Sequence, residues 1–457
     1  MSKISKKHSS QQHKNKLGYI DPTVAGIDIG DSLIHVSIPD GKGGVIVKEF
    51  GSTTPQLLAI ARELKEAGVL TAVMEATGVY WIPLYEILED AGLKSVLVDA
   101  RTVKNVPGRN KTDVVDCQWI QTLYSAGLLN AAFRPPRDRL PLRAYVRYRM
   151  NIVKSRQIAL LHMEKALQLM NIKLSGALSD IGGISGMTII RAIANGERSP
   201  IVLASLRNPG CKKEAQDFID ALSGNYQKEH VFVLQRALAA YDFGGKELEI
   251  CDERILGELE GYPTVVDTPP PEREHKAKSS VRRKPKKNDL SFDARTILWQ
   301  KSGVDMTALA GIEANTALLI FAELGGANVD AWNSEKEFAS WLKLCPGNNI
   351  SGGKRRKSKR QPCANHIAQA LRMSALSAKP SKGAVGAHIR RICSRTDKPK
   401  GIKAGAHKLA RLLYFMCRDG WQYHEKGEAH YEQMRIVRER KALIKKAKEL
   451  GLKVVSI

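Results

Sequence analysis

The chain reads as an α/β domain followed by a longer, mainly helical part. Three observations carry that reading. Between residues 24 and 98, short apolar runs first follow one another directly and then alternate with amphipathic stretches. From about residue 145 onward, apolar residues recur at three- and four-residue spacing in long runs. Finally, carboxylates interrupt the strand-like segments at two places, Asp28 and Glu75, where a charge is costly unless it is paired or metal-bound.

Length and charge set the frame. The 457 residues are enough for two to four domains, and 43% of them are hydrophobic. Lys and Arg number 72 against 47 Asp and Glu, a net charge of +25. Such an excess points to a polyanionic partner, nucleic acid first. A membrane partner is disfavoured, since no apolar run approaches the ~20 residues that a spanning helix needs, and the Lys/Ser/Gln/His-rich start lacks the apolar core of a secretory signal. The seven cysteines form no CxxC pair, so neither a disulfide framework nor a zinc ribbon is indicated, and the expected compartment is the cytoplasm.

Residues 1–20 hold five lysines and no acid, a basic arm expected to be disordered. Residues 21–144 are the α/β domain. Val24 to Gly30, Ser32 to Ile38 and Gly44 to Phe50 read as a three-strand meander with turn glycines between the strands. A helix over 55–67, a strand from Leu70 to Met74 ending at Glu75, a helix over 79–91 and a strand from Lys94 to Val98 follow. A basic, glycine-containing loop with Arg109 and Lys111 then leads into Thr112-Asp113-Val114-Val115-Asp116-Cys117, the start of a helix.

Asp113 and Asp116 are three residues apart, so on a helix they share a face. Two such charges repel unless a cation lies between them, and Mg2+ takes carboxylate oxygens readily. A solvated acidic first turn capped by Thr112 explains this pair equally well when it is taken alone. With Asp28 and Glu75 at strand positions in the same domain of a basic protein, the balance moves to a four-carboxylate metal site.

Gly-Ile-Asp-Ile-Gly at 26–30, Met-Glu-Ala-Thr-Gly-Val-Tyr at 74–80 and Lys-Thr-Asp-Val-Val-Asp at 111–116 resemble the RuvC-like DEDD domain of transposases of the insertion-sequence-110 family, the bridge-RNA-guided recombinases. The resemblance implies a ribonuclease-H-like N-terminal fold. It also implies a catalytic Mg2+ (or Mn2+) held by Asp28, Glu75, Asp113 and Asp116. Cys117 stands where the family usually has alanine.

Residues 145–260 are mostly helical. Tyr145 to Asn171 and Val231 to Leu259 are long amphipathic runs that fold back on each other, as an antiparallel pair or as a dimerisation coiled coil. The resemblance favours the coiled-coil interface. Residues 261–290 contain three consecutive prolines (269–271) and eight basic residues, and read as a linker in which order is not expected.

Residues 291–425 form a second, mainly helical domain. Leu309-Ala310-Gly311-Ile312-Glu313 suggests a helix-hairpin-helix turn that contacts phosphate, although the family form has glycine where Glu313 stands. Next comes Ser351-Gly352-Gly353, which opens into Lys354, Arg355, Arg356, Lys357, Lys359 and Arg360. Glycines allow close backbone approach to a phosphate, and the cations neutralise it; a flexible basic surface loop is the plainer alternative. This stretch resembles the Ser-Gly-Gly-Lys segment of the family's transposase domain, and that match makes Ser351 the nucleophile, with Ser358 as a weaker candidate. Arg390, Arg391, Arg395, Lys400, Lys403, Lys408 and Arg411 are placed to track a backbone, and residues 426–457 end the chain in a charged helix.

Taken together, the resemblance implies an RNA-guided DNA recombinase acting on donor and target double-stranded DNA with a structured bridge RNA. It further implies a covalent phosphoserine–DNA intermediate and a homodimer that assembles to a tetramer in the bacterial cytoplasm, at the nucleoid while it acts. The alternative is a metal-dependent, structure-selective endonuclease like a Holliday-junction resolvase, in which the acids activate water and Ser351 is incidental. A non-catalytic RNA-binding scaffold requires neither.

Overall fold

The structure is a computed structural model. It describes residues 21–76, 78–100, 103, 113–272, 287–346, 350–352, 354–355, 363, 365–420 and 422–452. Contacts divide the chain into two compact units, the first ending at Arg134 and the second beginning at Pro135. Arg134 belongs to the first because its guanidinium pairs with Glu89 at 2.9 Å and lies 4.0 Å from the centroid of the Tyr85 ring.

In the first unit, β1 (Val24–Ile29), β2 (Leu33–Pro39) and β3 (Val45–Gly51) form the expected meander. Helix α1 (Thr54–Glu66), β4 (Thr71–Glu75), α2 (Trp81–Asp90), β5 (Lys94–Val98) and α3 (Asp113–Ser125) complete it. The sheet order is β3-β2-β1-β4-β5, with β2 antiparallel to β1 and β3, and β4 parallel to β1 and β5. Strand alternation sorts side chains to two faces. Ala25, Ile27, Ala72 and Met74 pack with Leu57, Ile60, Leu64, Leu84 and Leu88 of α1 and α2. Val24, Val73, Val96 and Val98 pack with Ile120 and Leu123 of α3. Asp28 and Glu75 share the period of this second set, so both are directed to the α3 face.

The second unit is helical apart from one short hairpin among the described residues. Its longest helices, α4 (Leu140–Leu169) and α9 (Lys228–Glu260), run antiparallel against each other: Arg149 meets Asp252, and Arg156 packs on Gly244. Between them come α5 (Leu174–Ala177), α6 (Ile184–Ala194), α7 (Pro200–Ser205) and α8 (Ala215–Leu222), which close one core with the ends of the long pair. Then follow α10 (Ala294–Ser302), α11 (Ala314–Leu324), α12 (Glu335–Trp341), the strands β6 (Ile350–Ser351) and β7 (Lys354–Arg355), α13 (His366–Ala378), α14 (Ala384–Arg395), α15 (Lys398–Asp419) and α16 (Gly427–Glu449).

The stretch read as an unstructured linker is ordered at both described ends. The amides of Val265 and Val266 donate to the Gln300 carbonyl, and Trp299 Nε1 donates to the Thr268 carbonyl at 2.8 Å. At the other end, the Lys287 carbonyl accepts from Arg156 and the Asn288 carbonyl from Arg149. The early basic residues of α4 are largely internal. Arg149 and Arg156 are buried, and Arg143 and Arg147 pair with the buried Glu323 of α11.

Candidate active site

The site begins with Gly26. A Cβ built there would lie 2.1 Å from the Cys117 carbonyl oxygen and 2.7 Å from the Gln121 amide. Only glycine lets α3 rest directly on β1. Gln121, itself buried, fixes the register of that contact. Its Nε2 donates to the Val24 carbonyl at 2.7 Å, and its Oε1 accepts from the Ser37 hydroxyl at 2.5 Å. Helix α3 is thereby tied to β1 and β2 at once, with its acidic first turn, Asp113 and Asp116, over the end of β1. The parallel register sets Ile27 beside Met74, which brings Asp28 and Glu75 to neighbouring strand ends.

Asp28 lies within electrostatic reach of the other three acids. The Asp28 carboxyl is pushed up to about 6, first by burial and then by the charges of Asp116, Asp113 and Glu75. His35 lies opposite Asp28 in the antiparallel register and pulls the other way; its Nε2 is 3.5 Å from Glu49. Cys117 is fully buried, and its thiol is driven up to about 12, first by burial and then by Asp28. Four carboxylates are hard oxygen donors of the kind that hold Mg2+ or Mn2+. Their mutual repulsion is the field that such a cation relieves. Among the described residues, no group of three or more His, Cys, Asp or Glu side chains is closed up enough to hold an ion. The acids are of the type and charge that suit a divalent cation, but as placed here they stand more open than a ligand shell.

Ser351 lies in the second unit. Its backbone pairs with Lys354 across the β6–β7 hairpin, and Ile350 pairs with Arg355. Gly352 turns the chain at a φ of +57°, a left-handed conformation that favours glycine. Arg109, Lys111, Arg356, Lys357, Ser358, Lys359 and Arg360 lie outside the described residues. The Gly311 turn packs on α13: Gly311 has a φ of +82°, and a Cβ there would meet the Ser374 carbonyl at 2.1 Å. Glu313 takes the N-cap position of α11, a carboxylate where a phosphate would approach.

Sequence reasoning missed Ser37, His35 and Gln121, and placed Gly26 in the first motif without its packing role. Gln121 had a signal: a polar residue four positions after Cys117, on the face of α3 that carries Ile120 and Leu123 into the core.

A mixed sheet with acids gathered at its strand ends beneath a helix is consistent with the DEDD class of nuclease-like domains. Two family profiles match the chain: one described as a transposase domain of the insertion-sequence-110 DEDD type over residues 25–172, and one described as the transposase IS116/IS110/IS902 family over residues 306–388. No curated protein matches. The first match covers all four acids and runs on into α4, and the second covers Ser351. The protein is an enzyme of the transposase/recombinase class.

Proposed function

We propose that this transposase is an RNA-guided DNA recombinase that exchanges strands through a phosphoserine link. The observation that supports it best is the shared field of Asp28, Glu75, Asp113 and Asp116, seen in the raised Asp28 carboxyl. Mg2+ bound by these four would polarise the scissile phosphate and offset charge on the leaving oxygen. The Ser351 hydroxyl forms a bond to phosphorus as the bond from phosphorus to the 3′ oxygen breaks. The serine loses its proton, and the departing 3′ oxygen gains one. Attack on the phosphoserine by the 3′-hydroxyl of another strand reverses the step and joins the exchanged strand, with no hydrolysis and no external energy source. Lys354 and Arg355 neutralise developing charge, as would the basic residues that follow.

The +25 charge and the family matches support nucleic-acid substrates. In this reading, base pairing to a structured bridge RNA selects donor and target DNA, while the protein reads RNA shape. The working unit is a homodimer that assembles to a tetramer. Phe243 and Ile250, seven residues apart on α9, and Ile158 and Leu161 on α4 are exposed apolar side chains that support a second copy docking there. No helix among the described residues is long and apolar enough to cross a membrane, and the proposed compartment is the cytoplasm.

One observation favours a second reading. All four acids lie in the unit that lacks Ser351, so a resolvase-like nuclease that activates water would need that unit alone. The test is a nicked or mismatched DNA substrate, protease digestion of the reaction and mass mapping of any adduct. A DNA adduct on Ser351, absent in Ser351→Ala together with recombinant product, is expected. Cleavage by Ser351→Ala at the wild-type rate would establish the nuclease instead, and an adduct on Ser358 or a tyrosine would move the nucleophile.

A further inference from the structure

Helix α14 carries two adjacent arginines, and both are held by α16. Arg390 donates through Nη1 to the carbonyls of Lys379 (2.8 Å) and Ser381 (2.6 Å), which orients its guanidinium. Its Nη2 pairs with Glu428 at 2.7 Å. Arg391 pairs with Glu439. Between these two acids, Tyr431 meets the same surface: Lys408 of α15 is 5.3 Å from its ring centroid, and His388 Nδ1 is 3.4 Å from its hydroxyl. The surface beneath is densely cationic. Burial first, and then Lys408, Arg391 and His407 of this surface together with Arg438 of α16, disfavour a proton on the half-buried His388.

What covers this surface is loosely attached. None of the 23 residues of α16 is buried. Exposed ion pairs contribute little to stability and weaken with salt. Glu439 also divides its loyalty, since its other oxygen accepts from Arg435 one turn away at 2.7 Å, and Arg435 pairs again with Glu432 at 2.6 Å. Lifting α16 would leave Glu439 with a cation of its own helix, while Arg390 and Arg391 would lose their carboxylates. The arginine side therefore presents guanidiniums that can bind an anion, covered by two carboxylates of which Glu439 has another cation to turn to.

We propose that the α14–α15 face with Arg390, Arg391 and Lys408 is a phosphodiester-binding surface, which α16 occupies through Glu428 and Glu439 until nucleic acid displaces it. This rests on the enzyme acting on nucleic acid, and on neither the four acids nor Ser351. RNA and DNA present the same phosphodiester chemistry, so the experiment carries an arm for each.

The full-length protein is titrated by fluorescence anisotropy with a 30-base-pair DNA duplex and with a structured RNA hairpin, over a range of salt. Glu428→Gln/Glu439→Gln is expected to bind several-fold more tightly at low salt. Hydrogen exchange of amides 427–449 is expected to speed up when wild type binds. Combining the glutamines with Arg390→Gln/Arg391→Gln is expected to abolish the gain. The combined variant restores the wild-type net charge, so Glu229→Gln/Glu253→Gln, at two exposed acids of α9, is the control for the general effect of removing two negative charges, and a gain of the same size there would overturn the proposal. A gain with DNA alone or RNA alone assigns the surface to that polymer. Unchanged affinity in the glutamine variant, a gain that survives loss of both arginines, or added protection of 427–449 on binding would each overturn the proposal. A wild-type chain that binds neither polymer, with a flat salt slope, would instead remove the nucleic-acid reading beneath it.

Discussion

Gly26 of β1 lies so close beneath Cys117 of α3 that a single added carbon would come within 2.1 Å of the Cys117 carbonyl oxygen. The distance between Asp28 and the Asp113/Asp116 turn is therefore set by a residue that has no chemistry of its own. Gly26→Ala is expected to push α3 outward, at a cost of about 1–3 kcal/mol typical of overpacking. Gln121→Met keeps the volume but leaves the Val24 carbonyl and the Ser37 hydroxyl without this partner, at about 1–3 kcal/mol. Denaturant midpoints alongside strand-cleavage rates check both. The rate is expected to fall further than the lost stability explains, and a stable variant with wild-type cleavage would show that the register of α3 does not matter.

The Asp28 carboxyl carries a pH signature. Its folded-state value of about 6 lies above the usual 3.8, so between those values the folded chain holds a proton that the unfolded chain has released. Stability from this group is present at low pH and is lost as pH rises toward 6 and beyond. Asp28→Asn carries no such charge. In chelator at pH 8 it is expected to melt higher than wild type, while cleaving no DNA. The gap should close toward pH 4, and should narrow at pH 8 when Mg2+ is added to wild type. Melting curves that coincide at every pH would contradict the shared field of the four acids.

Arg149 tests which basic residues serve the fold. Its side chain and that of Asp252 are 8% and 3% exposed, and Asp252 also accepts from the Ser291 amide at 3.1 Å. Arg149→Ala leaves that carboxylate buried without its guanidinium, a loss of about 3–5 kcal/mol. The salt slope of nucleic-acid binding should not change, because Arg149 neutralises a carboxylate and no phosphate. A slope that drops by about 0.7–0.9, the contribution of one phosphate contact, would place Arg149 at the interface.

Phe243 and Ile250 address assembly. Both are exposed, at 64% and 60%, and they lie two helical turns apart on α9. Phe243→Lys/Ile250→Lys should convert the proposed dimer to monomer in light scattering, with little change in melting temperature. A wild-type chain that scatters as a monomer in the presence of RNA and DNA would remove the dimer from the proposal.

Much of the first unit follows from local pattern. Alternation in 24–51 and the apolar runs ending at Glu75 and Val98 allow few other arrangements, because a strand's period places every second side chain on one face. Asp28 stands out in that pattern because a carboxylate in an apolar strand is costly, and the three-residue spacing of Asp113 and Asp116 is itself a statement about one helical face. The sequence alone thus determined which acids are unusual and which elements carry them.

Their convergence was decided by tertiary structure. It depends on Gly26 admitting α3 and on Gln121 reaching Val24, a contact across 97 positions of sequence. The fate of the arginines was decided in the same way. Arg149 and Arg390 are identical as letters and equally suited to a phosphate, yet Arg149 is committed to Asp252, 103 residues away, and Arg390 to Glu428. Periodicity encodes which side of an element faces inward, since that depends on near neighbours alone. A charge takes its meaning from the group it meets, and only the fold decides which group that is.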